Sequence, residues 1–228
     1  MPDSIAIVSG GMDSITLLHY LLKVGKRTPA LITFRYGQKH AKEVDFAESQ
    51  AKLLGCRDHL VLELSSLAPL FAESALVSAA KEIPTADDVA GDPQPATYVP
   101  NRNMIFIALA AAYAETRGVS DLYYGAQRHD LYGYWDTTPR FLEQFNQLFR
   151  LNRKTQIQIH APFVQLSKAD ILRQGVALEV DYSQTWSCYE GSRLACGRCP
   201  TCAERLSAFA EIGLRDPLPY VDDADQSS

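Results

Sequence analysis

A short apolar run, Ser4-Ile5-Ala6-Ile7-Val8, stops abruptly at Ser9-Gly10-Gly11-Met12-Asp13-Ser14, and apolar residues then recur at Ile15, Leu17, Leu18, Leu21 and Leu22. The economical reading is a strand, a tight glycine turn and a helix. The unit repeats: Ala30 to Phe34 reads as a strand, Ala41 to Leu54 as a helix closed by Gly55, and His59 to Leu64 as a third strand. Strands alternating with helices predict an α/β fold, a doubly wound parallel sheet with helices on both faces. Ser65 to Tyr98, with Pro84, Pro93, Pro95 and the acidic pair Asp87-Asp88, is too long for an ordinary connection and reads as a partly helical active-site flap or crossing loop. Asn101 to Arg117 is an Ala-rich helix ended by Gly118, and Asp121 to Tyr124 is a strand. A helix from Pro139 to about Asn152, a strand ending at His160-Ala161-Pro162 and a helix from Ser167 to about Leu178 follow. No internal repeat interrupts this order.

Ligands of doubly wound sheets bind at the carboxyl ends of strands, which is where the first glycine turn falls. Two glycines let the backbone turn tightly and present N–H groups to an anion, Ser9 and Ser14 add hydroxyls, and the helix start adds partial positive charge. Ser9, Gly10, Gly11, Met12, Asp13 and Ser14 are therefore read as a phosphate or pyrophosphate cradle. The bland alternative makes Asp13 or Ser14 a helix cap, with the glycines merely turning the chain. A Walker loop is excluded, because Gly25-Lys26 has Tyr20 in place of the earlier glycine and Arg27 in place of Ser or Thr.

Cys188, Cys196, Cys199 and Cys202 crowd together with the spacing C-x7-C-x2-C-x2-C, interleaved with Gly191, Gly197 and Pro200 and followed by a helical stretch to Ile212. Four thiolates in one Gly-rich loop suit a closed tetrahedral Zn²⁺ site, which supplies folding free energy where apolar mass is short. Disulfides, free thiols and an iron–sulfur cluster are the competing readings. Cys56 stands apart as an ordinary small residue. The chain divides on this view into an α/β nucleotide-binding domain at 1–182, a zinc-binding four-cysteine module with its helix at 183–216, and a polar tail at 217–228.

Charge and composition narrow the partners. Twenty-two Lys and Arg against twenty-seven Asp and Glu give a net charge of −5, so no sequence-wide basic field points to nucleic acid. No apolar run reaches the roughly 18 residues of a membrane span, and Met1-Pro2-Asp3 lacks the regions of a signal peptide, so a cytoplasmic protein with small-molecule substrates is expected.

The hexapeptide Ser9 to Ser14 resembles the signature of the PP-loop, N-type ATP pyrophosphatases, with their adenine nucleotide alpha hydrolase-like fold. Tyr36-Gly37-Gln38-Lys39-His40, Val99-Pro100-Asn101-Arg102-Asn103, Lys168-Ala169-Asp170-Ile171 and Trp186-Ser187-Cys188-Tyr189 extend the resemblance over nearly the whole chain to the QueC family of queuosine-precursor biosynthesis. The resemblance implies a loop that holds the β- and γ-phosphates of ATP while a substrate oxygen attacks the α-phosphate, with Asp13 orienting the loop or meeting Mg²⁺. It further implies Zn²⁺ at the cysteines, a homodimer, and 7-carboxy-7-deazaguanine and ammonia as substrates. Their adenylated carboxylate and amide would lead to the nitrile 7-cyano-7-deazaguanine.

Under this resemblance Tyr36, Gln38 and His40 join the nucleotide site, while Asp13, Arg102 and Lys168 are catalytic. By chemistry alone, Arg102 at a helix start can meet phosphate or carboxylate bidentately, against a solvated surface arginine. Lys168 can neutralise developing phosphate charge, against an exposed lysine. His40 can carry a proton, against a capping or surface histidine.

The aromatic loop from Tyr123-Tyr124-Gly125 to Tyr132-Gly133-Tyr134-Trp135 can stack a purine-like ring or pack the sheet edge. Asp130, Gly133, Tyr134, Asp136, Pro139 and Phe141 match the family here, but its serine, cysteine, arginine and glutamate positions do not, chiefly around Thr137 to Arg140. A relative passing the activated acid to another amine, such as a protein amine, stays open for that reason. A PP-loop tRNA thiolase also stays open, although it wants a basic RNA-facing surface. A non-enzymatic zinc-binding module would leave the glycine turn without a role.

Overall fold

The computed structural model describes residues 1–92, 94–128, 134–190 and 193–221. Five strands, β1 (Ser4–Ile7), β2 (Pro29–Arg35), β3 (His59–Glu63), β4 (Asp121–Tyr123) and β5 (Gln158–His160), form one sheet among the described residues. Their order is β3-β2-β1-β4-β5 and every pairing is parallel, as the alternating pattern predicts. The helices are α1 (Met12–Lys23), α2 (Lys42–Leu53), α3 (Arg102–Arg117), α4 (Pro139–Phe149), α5 (Lys168–Ala177) and α6 (Pro200–Glu211).

Strand residues alternate between two cores, as side chains of period two must. Ala6, Val8 and Leu31 pack with α1, α2, α5 and α6 through Leu17, Leu18, Ala47, Leu172 and Phe209. Ile5, Ala30, Ile32 and Phe34 pack on the opposite face with Ile107, Ala110 and Ala114 of α3 and with Phe141 and Phe145 of α4. Each large apolar side chain so buried contributes about 1.5–3 kcal/mol.

The chain steps outward from β1 to β3 and then returns to lay β4 against the other edge of β1. That reversal opens a crevice at the carboxyl ends of β1 and β4, the usual ligand position in such sheets. The expected flap is the beginning of this return. It holds 3₁₀ turns at Ser65–Phe71 and Asp87–Val89, and Phe71, Leu76 and Val99 cluster with Tyr36.

Local caps fix the helix starts that matter. Asn101 takes a left-handed conformation (φ 54°) immediately before α3, so the helix begins at Arg102 and ends on left-handed Gly118. At α5, Ser167 Oγ accepts the Asp170 N–H at 3.1 Å and Asp170 Oδ2 accepts the Ser167 N–H at 3.2 Å. This reciprocal box makes Lys168 the first helical residue. Burial continues past residue 216: Leu218 and Tyr220 join Trp186 and the four clustered cysteines. Asp222 to Ser228 lie outside the described residues.

Candidate active site

Helix α1 begins at Met12 with Gly11 as its cap residue and no capping side chain, so neither Asp13 nor Ser14 serves as the cap of the bland reading. Ser14 Oγ instead accepts the N–H groups of Ser9 (3.1 Å) and Gly10 (3.2 Å) and donates to the Gly11 carbonyl at 3.0 Å. The first helical bond runs from the Ile15 N–H to the Gly11 carbonyl at 3.1 Å. The amides of Met12, Asp13 and Ser14 therefore precede the helix's own ladder, at its positive end. Gly10 has φ +96°, and a Cβ there would fall 1.9 Å from the Glu43 carbonyl oxygen, so α2 packs where only glycine fits. On its other side the Gly10 carbonyl accepts the Trp186 N–H at 3.0 Å.

This loop borders a cleft of about 250 Å³. Ser9, Gly11, Met12, Asp13, Ser14, Tyr36, Gln38, His40, Arg102 and Lys168, all singled out by sequence, line it, whereas Gly10 sits behind against α2. Lys168 Nζ lies 2.6 Å from Asp13 Oδ2 and 3.3 Å from Glu204 Oε2, with its side chain only 14% exposed. Burial alone would lower the lysine pKa, but the two carboxylates outweigh it and the net shift is upward. Asp13 Oδ1 is buried and has no hydrogen-bond partner among the described residues.

Arg102 Nη1 donates to the Tyr36 hydroxyl at 3.3 Å. Burial opposes the guanidinium charge, yet Tyr36, Tyr189 and Asp136 more than offset it and Arg102 stays charged. Gln38 faces partly inward: its Oε1 accepts the Tyr36 N–H at 2.8 Å and its Nε2 donates to the Phe34 carbonyl at 3.3 Å, fixing the turn after β2. His40 is buried, not on the surface, with Nε2 3.4 Å from Glu43 Oε2, its Nδ1 without a partner among the described residues, and its ring 5.4 Å from that of Tyr189. Met12 is 2% exposed and belongs to the core beneath the loop.

Sequence reasoning did not find Glu204, Gln127 or Glu43 on this cleft. Gln127 Nε2 donates to Glu204 Oε1 at 3.2 Å, leaving Gln127 Oε1 buried and without a partner among the described residues. Nothing local marks these residues, since each reaches the site through tertiary packing. The aromatic loop divides its work. Tyr124 lines the cleft, while Tyr123 stacks on His160 at 4.7 Å, Tyr134 meets Thr97 Oγ1 at 3.1 Å and Trp135 Nε1 donates to the Tyr98 hydroxyl at 3.1 Å. Of the positions where the family pattern breaks, Thr137 lines the cleft, Thr138 caps α4 by accepting the Phe141 N–H, and Arg140 is exposed. Asp130, Tyr132 and Gly133 lie outside the described residues.

The four clustered cysteines are all buried and unlinked by disulfides, and their sulfurs lie within 4.8 Å of one another. Backbone N–H groups of Cys196 and Cys199 point at Cys188 Sγ and Cys196 Sγ, each at 3.3 Å. Hydrogen bonds from the Cys199 and Cys202 sulfurs draw the Cys188 thiol far below its usual value despite burial. The same hydrogen bonds push the Cys199 and Cys202 thiols up, and four soft sulfur donors at these separations fit Zn²⁺. Cys199 is also the residue that caps α6, so the same cluster starts the helix that carries Glu204.

The sequence model described as "Queuosine biosynthesis protein QueC" matches residues 3–213. A protein of Psychromonas ingrahamii named 7-cyano-7-deazaguanine synthase is 39% identical over 218 residues, covering 96% of this chain and 97% of its own. Proteins of the same name from Chromohalobacter salexigens and Methanoregula boonei are each 42% identical over 217 residues, covering 95% of this chain and 85% and 98% of theirs. Among the described residues no helix is long and apolar enough to cross a membrane.

Proposed function

The chain belongs to the QueC family, and from that premise we propose that it catalyses the reaction for which its relatives are named, the ATP-dependent synthesis of 7-cyano-7-deazaguanine. It is an ATP-dependent carbon–nitrogen ligase acting on 7-carboxy-7-deazaguanine and ammonia. The observation that carries the reading is the meeting of the Ser9–Ser14 loop, Lys168 and Arg102 on one cleft at the ends of β1 and β4. The relatives' names do not favour transfer to a protein amine or tRNA thiolation.

In this reading the free amides at the start of α1 receive the β- and γ-phosphates, and Lys168 neutralises their charge. Arg102, steadied by Tyr36, holds the carboxylate of the substrate. A carboxylate oxygen attacks the α-phosphorus, the bond to pyrophosphate breaks, and an acyl adenylate forms. Ammonia then adds to the acyl carbon and AMP leaves, giving the amide. A second activation of the amide oxygen, followed by its loss with two amide protons, gives the nitrile. No protein nucleophile is required, because the steps need positioning and charge neutralisation.

Asp13 would hold Mg²⁺, a fit supported by its buried, unpartnered Oδ1 beside the loop, and the ion would supply charge neutralisation for the triphosphate. Cys188, Cys196, Cys199 and Cys202 would hold Zn²⁺ as a structural ion. Tyr36, Gln38 and His40 complete the nucleotide wall. The proposal includes a cytoplasmic homodimer, checked by light scattering, and a division of the chain at 182/183, checked by limited proteolysis.

The direct test is mass spectrometry of the purified protein with Mg·ATP, 7-carboxy-7-deazaguanine and ammonium. Nitrile formation with ATP consumption is expected. An adenylate that never becomes amide would reassign the acceptor, and the absence of any ATP consumption would sink the reading.

A further inference from the structure

We propose that Glu204 is the positioning residue for Lys168, holding the ammonium over the phosphate loop from the zinc-bearing helix α6. The inference rests on reading the cleft as an ATP site. A lysine that must meet phosphate charge is effective only if its flexible side chain is fixed beforehand. The capping box of α5 fixes the backbone of Lys168, and two carboxylates fix its Nζ. The two are not equivalent. Asp13 stands on the loop itself and keeps one oxygen buried and unpartnered, the mark of a group whose partners change when a ligand arrives. Glu204 has both oxygens engaged, Oε2 by Lys168 at 3.3 Å and Oε1 by Gln127 at 3.2 Å, and Gln127 is 2% exposed.

Glu204 also has a rigid base. Its neighbour Arg205 is 1% exposed and forms a two-pronged ion pair with Asp216, while Cys199 and Cys202 anchor the first turn of α6 in the thiol cluster. A carboxylate on the wall of a phosphate site repels the ligand, so its presence is unfavourable for binding alone. That gives a sign by which positioning can be told from simple structural support. Without Glu204, Mg·ATP should bind as well or better, because a negative charge is gone, yet turn over more slowly, because Lys168 is no longer aimed.

The test compares the full-length parent, Glu204→Ala and the nearly isosteric Glu204→Gln. Mg·ATP affinity is measured by calorimetry without other substrates, kcat by pyrophosphate release with all substrates, and zinc content and thermal midpoint alongside. Expected for Glu204→Ala is about a tenfold loss of kcat with unchanged or tighter ATP binding and full zinc, and for Glu204→Gln a smaller loss in the same direction. In a Lys168→Met background the second substitution should change kcat by less than about twofold, since the residue acts through that lysine. Parental kcat in Glu204→Ala, joint loss of ATP affinity and zinc in both variants, or full additivity with Lys168→Met would each overturn the role of Glu204. A parent protein that binds no Mg·ATP would overturn the nucleotide reading as well.

Discussion

Glu204 and Arg205 are neighbours on α6, yet they serve two charge networks of opposite character. Arg205 and Asp216 are each 1% exposed, and every strong donor and acceptor between them is used. Asp216 takes Arg205 Nε and the Tyr220 hydroxyl on Oδ2, and Arg205 Nη2 and the Leu218 N–H on Oδ1. The remaining guanidinium protons go to Thr185 Oγ1, Ser187 Oγ and the Tyr182 carbonyl. The network of Glu204, Lys168, Asp13 and Gln127 is only half-buried, its charged side chains 14–20% exposed, and it is unfinished, with Asp13 Oδ1 and Gln127 Oε1 both lacking a partner among the described residues. A buried polar atom left unsatisfied costs free energy. A complete network is therefore architecture, and an incomplete one bordering a cleft is a place prepared for a ligand.

The sharpest way to break the contrast is to remove what both networks share. Cys199→Ser should cost the proposed zinc ion and with it both networks, since structural zinc sites contribute on the order of 10 kcal/mol to folding. Zinc analysis and thermal unfolding would record the joint loss, and a stable, zinc-loaded variant would refute the assignment. Next comes separation. Asp216→Asn leaves Arg205 buried without its counter-charge and should cost about 3–5 kcal/mol of stability, while activity per folded molecule falls only slightly, through the loosened base of Glu204. Asp13→Ala should do the reverse, lowering turnover by roughly a hundredfold or more with zinc content and melting temperature intact. Denaturant melts and steady-state rates on both variants test the pair, and a normal rate in Asp13→Ala would remove the cradle assignment.

The smallest effect is a pH effect. The pKa of Lys168 is raised in the folded protein, so its stabilising contribution is complete below the unfolded lysine value of about 10.5 and is lost as pH climbs through the higher folded value. Arginine does not deprotonate in that range. The stability gap between the parent and Lys168→Met should accordingly stay constant from pH 7 to about 10 and shrink above about 10.5. A gap that stays constant above that value in alkaline urea melts would refute the raised lysine pKa.

What could be read in the chain beforehand was local. Ile5 and Ile7 before Gly10-Gly11, the Ala-rich helix ending on Gly118 and the cysteine spacing each declare themselves within a dozen residues or so, and each is found in the structure. Lys168 was visible as a cation at a helix start, but its setting was not, because Asp13 lies 155 positions away in sequence. Glu204 and Gln127 carry no periodic or motif signal at all, and Glu43 meets Gly10 only because α2 packs on the loop. Gln38 and Met12 show the converse. The motif puts both on the cleft, which they line, while the structure turns Gln38 onto its own strand and sinks Met12 into the core. The long return from β3 resisted reading because its 3₁₀ turns are too short for any hydrophobic period to appear.

The contact between the Trp186 N–H and the Gly10 carbonyl has a meaning in time as well as in space. The loop from Ser9 to Ser14 is synthesised long before Trp186 and Glu204, which lie more than 150 residues further along the chain. At ordinary rates of synthesis the interval is roughly ten to forty seconds. Throughout it the nascent polypeptide owns the loop without the groups that close it. The proposed nucleotide site is thus complete only after α6 has been made.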